Sequence, residues 1–186
     1  MNFEPTEDQA RLRQEIVRFA RAELNEGAAE RDRDGVFPRE LWQACGRMGL
    51  TGLPVPVELG GQGADPLTTA LALEAFGYGC KDGGLVFSVC AHLLACVVPV
   101  MLHGSEEARR RWLPRMSDGS TIAINGMTES ESGSDAFVMR TRAERDGDGW
   151  VLNGTKIFAS NGPVGDVALV YAVTDPERPP ATSITA

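Results

Sequence analysis

Met116-Ser117-Asp118-Gly119-Ser120-Thr121-Ile122-Ala123-Ile124-Asn125-Gly126-Met127 is the stretch in which the chain changes its period. Before Gly119, apolar residues recur at three- and four-residue spacings, the stripe of an amphipathic helix. After it they follow strand-like patterns punctuated by glycine and asparagine turns. Helices first and strands second predict an α+β chain of two layers. An N-terminal all-α helical domain is expected over residues 1–119, followed by a small antiparallel β-domain over residues 120–186.

Upstream of the switch, Thr6 and Gln9 have capping-box spacing, and Leu12, Ile16, Phe19, Ala20 and Leu24 form the stripe of the first helix. Pro38 suits the first turn of a second helix, with Leu41, Trp42, Cys45 and Met48 on its buried side and Gly49 at its end. Prolines and glycines between Leu53 and Gly63 dictate a loop. Asp65-Pro66 starts a third helix that runs to about Tyr78. Gly83 to Leu102 is so apolar that a fourth helix is expected there, buried on every side. Ser105 caps a fifth, with Glu106 and Glu107 in its first turn and Arg109, Arg110 and Arg111 beyond, the order a helix dipole favours.

Downstream, Thr121 to Met127 reads as a strand, Ser130 to Asp135 as a polar loop and Met139 to Arg145 as a half-exposed strand. Asp146-Gly147-Asp148-Gly149 signals one hairpin and Asn153-Gly154 a second, and Val167 to Val173 is an apolar strand core. Ser183-Ile184-Thr185-Ala186 reads as a strand just beginning. A sheet with one apolar face needs a cover, so the chain is expected to be unfinished at this point.

The 186 residues carry a formal charge of −8 and are 42% hydrophobic and 24% charged, the balance of a soluble globular protein. An acidic chain without a basic face is wrong for nucleic acid. The longest apolar run, Leu93 to Leu102, is short for a bilayer and contains Pro99, which argues against a membrane span. Met1 to Pro5 lacks the basic start of a signal peptide, so a cytoplasmic location is expected. Cys45, Cys80, Cys90 and Cys96 form no C-x-x-C pair and read as buried thiols.

The densest polar cluster is Met127-Thr128-Glu129-Ser130-Glu131-Ser132-Gly133-Ser134-Asp135, which offers hydroxyls, backbone N–H groups and a glycine that admits a ligand close to the backbone. In Lys156-Ile157-Phe158-Ala159-Ser160-Asn161-Gly162 an aromatic and a hydroxyl stand two residues apart, on one side of an expected strand. A ring face beside a hydroxyl suits a planar heteroaromatic ligand; the competing reading is a pair of plain polar β-loops. His92 and His103 have no ligand-spaced partner for a metal. Ser134, Asp135 and a histidine lack the G-x-S-x-G elbow of a hydrolase, and Gly60-Gly61-Gln62-Gly63 is not a dinucleotide fingerprint.

Met127-Thr128-Glu129 through Gly133-Ser134-Asp135 resembles the T-E-P-x-x-G-S-D signature of the acyl-CoA dehydrogenases. Trp150 to Gly162 resembles their second signature, an aromatic, then N-G-x-K, then an aromatic and a T/S-N-G ending. The loop Gly52 to Gly63 and the segment Gly104-Ser105-Glu106 to Trp112-Leu113-Pro114 are similar to two further family stretches, in the same order. The departures are Ser130 for proline, Ser132 for the usual alanine, and Phe158 where tryptophan is frequent.

The resemblance implies FAD as cofactor and α,β-dehydrogenation of an acyl thioester, on coenzyme A or an acyl-carrier protein, with an electron-transfer flavoprotein or similar acceptor. It implies that Thr128, helped by Met127 and Asn125, meets the pyrimidine edge of the flavin. Gly133 and Ser134 would meet the pyrophosphate, and Ser134 also the substrate's pantetheine arm. Phe158 would pack on the flavin and Ser160 would donate to N5. Phe87, Ser88 and Ala91 are acyl-pocket candidates, with core packing as the competing reading. The family's catalytic glutamate belongs to a C-terminal helical domain expected to be absent from this chain. Glu129 and Glu131 are read as solvated carboxylates and not as substitutes. A homo-oligomer, or a partner chain supplying the C-terminal domain, is therefore expected. Two alternatives stay open: a non-catalytic or partner-requiring subunit of a split dehydrogenase, and a flavin monooxygenase or oxidase of the same fold.

Overall fold

The computed structural model describes residues 4–186, which form two compact units, one ending at Ile122 and one comprising Ala123–Ala186. The first unit is helical: α1 (Glu7–Glu23), α2 (Ala28–Asp34), α3 (Arg39–Arg47), α4 (Pro66–Gly79), α5 (Gly83–His92), a π turn (Leu93–Val97), α6 (Val98–His103) and α7 (Glu106–Ser117). The starts follow the local chemistry. Thr6 Oγ1 accepts from the Gln9 N–H at 3.2 Å while Gln9 Oε1 accepts from the Thr6 N–H at 2.9 Å, a complete capping box. The Asp65 and Ser105 side chains cap α4 and α7 by accepting the Thr68 and Ala108 N–H groups. Pro38 stands at the N-cap of α3, one residue before the expected first turn.

The core is built around Trp42, fully buried, whose indole N–H donates to the Gly119 carbonyl at 2.9 Å. The His92 ring meets it edge-on, centroids 5.1 Å apart. Ile16, Ala20 and Leu24 of the α1 stripe are buried, as are Leu50, Phe76, Leu85, Leu93 and Leu113. Cys45, Cys80 and Cys96 are buried and Cys90 is half-buried.

Three expectations change here. α2 has no apolar stripe and buries no residue, so periodicity could not announce it; Gly27 and Gly35, both at positive φ, delimit it. Gly83 to Leu102 is not buried on every side: Phe87, Leu94 and Leu102 are 63%, 51% and 60% exposed. Nor is the apolar stretch short, because α5, the π turn and α6 make one helix, Gly83–His103, long and apolar enough to cross a membrane by length and composition alone. In this structure its inner side, with Leu85, Val89, His92, Leu93, Cys96 and Val97, is core of the helical unit. Pro99 explains the π turn. A proline cannot donate and crowds the carbonyl four residues back, and the wider turn, in which the Val98 N–H reaches the Leu93 carbonyl, takes up the misfit.

The second unit holds β1 (Ala123–Gly126), β2 (Arg142–Asp146), β3 (Gly149–Asn153), β4 (Val167–Val170), β5 (Ala172–Val173), a single turn α8 (Pro180–Ser183) and β6 (Ile184–Thr185). Strands β1 and β4 form one sheet and β3-β2-β5-β6 the other. The antiparallel expectation holds for β2–β3 and β5–β6, whereas β1–β4 and β2–β5 are parallel. Asp146-Gly147-Asp148-Gly149 does turn a hairpin, pairing Arg142 with Asn153 through Asp146 with Gly149. Asn153-Gly154 does not. A glycine is required at 154 by close approach, since a Cβ there would lie 2.7 Å from the Thr141 Cα, and the chain leaves β3 as an irregular segment.

Candidate functional site

Strand β1 ends at Gly126 and delivers Met127-Thr128-Glu129 into the polar loop. Glu129 and Ser132 close a tight turn, each N–H donating to the other's carbonyl at 3.0 and 3.2 Å. The Ser132 hydroxyl is buried and donates to the Asp135 carbonyl at 3.0 Å, so the departure from alanine adds a satisfied hydrogen bond. Gly133 and Ser134 are exposed on the turn, and Asp135 caps a short 3-10 turn, Ala136–Val138.

The segment after β3 is laced to this loop and to β1 at three points. Lys156 Nζ donates to the Met127 carbonyl at 3.0 Å. The Ile157 N–H donates to the Thr128 carbonyl at 2.9 Å. Asn161, at φ +65°, donates from its amide to the Ala123 carbonyl at 3.1 Å. The stretch 154–160 is therefore not a strand, and the idea that Phe158 and Ser160 share a strand face is corrected. Phe158 sits at φ +52° with its ring 88% exposed. Positive φ is rare for a bulky side chain and costs about 1–3 kcal/mol, and the packing of the described residues leaves that side chain uncovered. Ser160 is half-buried at the start of a turn closed by the Gly162 N–H on the Ala159 carbonyl.

Glu129 overturns the solvated reading. It is 7% exposed, pairs with Lys156 Nζ at 2.8 Å, and accepts the backbone N–H groups of Arg140 at 2.6 Å and Thr141 at 2.9 Å. Burial alone would raise its pKa. The hydrogen bonds from Lys156 and from the two amides outweigh that and hold it at about 2. Glu131 remains exposed. A carboxylate so committed is a staple of the loop, and Lys156 is the partner that the spacing of the sequence did not reveal; the N-G-x-K pattern was its only trace.

The sequence-identified residues of the β unit thus converge: Asn125 in β1, Met127 and Thr128 beyond it, and Phe158 and Ser160 on the segment laced to them. Thr128 lends only its carbonyl to the fold; its N–H and hydroxyl have no partner among the described residues, and neither has the Ser160 hydroxyl. Idle donors beside an uncovered ring fit a planar ligand with acceptor atoms along its edge, and FAD is such a group. Phe87, Ser88 and Ala91 belong to α5 of the helical unit. Ser88 is buried, as core packing requires, whereas Phe87 and the half-buried Ala91 stand one turn apart on the open side.

Known proteins resemble the chain over both units. Residues 6–120 match the family model described as acyl-CoA dehydrogenase, N-terminal domain, and residues 125–186 match acyl-CoA dehydrogenase, middle domain. An L-prolyl-[peptidyl-carrier protein] dehydrogenase of Serratia is 38% identical over 178 residues, 96% of this chain and 46% of that protein. The solved structure of PigA with FAD and proline superposes with a TM-score of 0.94 at 37% identity, covering 99% of this chain and 48% of that one. The prolyl acyl carrier protein oxidase AnaB gives 0.92 at 37%, with 98% and 48% covered. The chain spans less than half the length of the curated relatives it matches.

Proposed function

The chain belongs to the acyl-CoA dehydrogenase family, and on that premise we propose that it is the N-terminal part of an FAD-dependent acyl-thioester dehydrogenase whose substrate is an acyl group, prolyl foremost, held on a carrier protein. The carrier-protein substrate is favoured over coenzyme A by the names of the relatives, the Serratia dehydrogenase and AnaB among them. The observation that carries the flavin reading is the pair of idle donors on Thr128 laced to the uncovered Phe158 ring.

FAD, when bound, supplies the hydride acceptor for the substrate's β-hydrogen. The chain's own residues bind and orient. Thr128 would hold the pyrimidine edge with its hydroxyl and N–H, with Met127 and Asn125 assisting. The Ser160 hydroxyl would serve as the donor to N5, and Phe158 would offer its face to the ring system. Donors at those edges favour the reduced, more negative flavin. Gly133 and Ser134, exposed on the turn, offer backbone and hydroxyl to the pyrophosphate and to the pantetheine arm that a carrier protein and coenzyme A share. Phe87 and Ala91 are the acyl-side contacts. Glu129, paired with Lys156, is not free to serve as the base. The electron acceptor is an electron-transfer flavoprotein or similar protein, and the working enzyme is an oligomer.

Visible absorption of the purified protein tests this. Flavin bands retained after added FAD is removed by desalting are expected, with Ser160→Ala shifting the flavin's midpoint potential. A colourless protein would refute the cradle, and an unchanged potential would refute the role of Ser160. AnaB's description as an oxidase favours a second reading, direct use of oxygen; oxygen consumption during prolyl-thioester turnover separates the two.

A further inference from the structure

The fold itself does not require Lys156 to reach Met127, because neither residue lies in a strand or helix. Yet its side chain is only 12% exposed, and its ammonium bridges two acceptors, the Met127 carbonyl and Glu129 Oε1. The carboxylate in turn holds the amides that lead into β2.

This arrangement has a directional consequence. In a trans peptide the C=O and the following N–H point to opposite sides. Tying the Met127 carbonyl to Lys156 therefore turns the Thr128 N–H away from Lys156. The next carbonyl, on Thr128, is held by the Ile157 N–H, and the next N–H, on Glu129, by Ser132. Both peptide planes around Thr128 are thus fixed, and Lys156 fixes the first. Without it that plane has no partner on its carbonyl and is free to rotate, carrying the Thr128 N–H and side chain with it.

We infer that Lys156 is the positioning residue of the flavin cradle: by clamping the Met127 carbonyl and Glu129 it sets the direction in which the Thr128 N–H and hydroxyl point. The inference rests on the flavin reading above for its ligand, but the clamp itself is a property of the chain alone. Glu129 acts as its counter-charge, so that a buried ammonium is tolerated at all.

The test compares the unmodified chain with Lys156→Met and with the neutral pair Lys156→Met/Glu129→Gln, which leaves no unpaired buried charge if the single variant does not fold. Two readouts are taken: FAD affinity and midpoint potential by titration, and the amide signals of Thr128 and Glu129 by two-dimensional NMR without cofactor. The neutral pair is expected to fold, to weaken FAD binding at least tenfold, and to lower the midpoint potential of any flavin retained. Its Thr128 amide should broaden or split, while the amides of β3 and β4 stay in place. FAD binding and a Thr128 amide both unchanged would overturn the inference, as would a Thr128 amide that stays sharp while affinity falls. If the unmodified chain binds no FAD, the flavin reading fails on its own, and the clamp is decided by the cofactor-free spectrum: a broadened Thr128 amide in the neutral pair upholds it and an unchanged one overturns it.

Discussion

Acidification should weaken the helical unit well before its carboxylates titrate, and His92 is the reason. Its ring is fully buried against Trp42, and Nε2 lies 3.1 Å from the Met116 carbonyl. A carbonyl can only accept, so Nε2 donates to it. Burial drives the pKa down from 6.5 to about 4, with the Met116 carbonyl opposing weakly. Because the folded value lies below the unfolded one, the unfolded chain binds the extra proton between those two values. Stability is therefore complete above pH 6.5 and is lost as the pH falls towards 4. The loss is about 2 kcal/mol by pH 5 and approaches roughly 3 kcal/mol at lower pH, at about 1.4 kcal/mol per unit of difference. In urea, with an m-value of about 2 kcal/mol per molar, the midpoint should fall by roughly 1 M between pH 7 and pH 5. Far-UV circular dichroism follows it, since α1 to α7 all belong to this unit. The control is His92→Gln, which keeps an N–H for Met116 but cannot titrate. Its midpoint starts lower and should stay nearly constant over that range. An equal downward shift in the variant would refute the assignment to His92.

The β unit should yield later. Glu129, held at about 2 against an ordinary 4.5, contributes fully above pH 4.5 and loses its contribution as the pH falls through 2. The Arg140 and Thr141 amide protons, which it accepts, should titrate with a midpoint near 2; a midpoint near 4.5 would mean that the clamp is not formed. Trp42→Phe strands the buried Gly119 carbonyl and removes ring volume, at a cost of about 2–4 kcal/mol in urea unfolding at pH 7. A loss below about 1 kcal/mol would place that hydrogen bond in water. Gly154→Ala drives a methyl against the Thr141 backbone and should destabilise the β unit by about 1–3 kcal/mol in thermal unfolding, with β2 amides shifting most. Unmoved β2 amides would contradict the close approach.

Whatever depends on neighbours within one or two turns was legible from the sequence. The Thr6–Gln9 box, the Asp65 and Ser105 caps and the α1 stripe are local, because a side chain three or four residues away decides each. The Asp146-Gly147-Asp148-Gly149 hairpin is local as well. Features set by distant neighbours were not legible. α2 has too few residues and no buried face. The outer side of the Gly83–His103 helix looks like its inner side in composition, so the exposure of Phe87, Leu94 and Leu102 has no local signal. Asn153-Gly154 imitates a hairpin because one glycine satisfies either demand, a turn or a close approach to Thr141, and only the fold distinguishes them.

The site divides along the same line. The polar loop and the aromatic were legible as residue types, but the geometry that joins them comes from contacts spanning 27 residues and more: Lys156 to Met127 and Glu129, Ile157 to Thr128, Asn161 to Ala123. These contacts also explain why the departures in the first signature are tolerable. Ser130 is exposed at the tip of the turn that Glu129 and Ser132 close, where its N–H serves no partner among the described residues and a proline would lose nothing. With proline's fixed φ absent, the turn needs another restraint, and the Ser132 hydroxyl on the Asp135 carbonyl supplies one. The two serines therefore work as a compensating pair. Ser132→Ala should loosen the loop in this chain, while Ser130→Pro made with it should restore order; hydrogen exchange at residues 129–135 is the measurement. Unaltered protection in the single variant would show that the reciprocal Glu129–Ser132 bonds suffice without either residue.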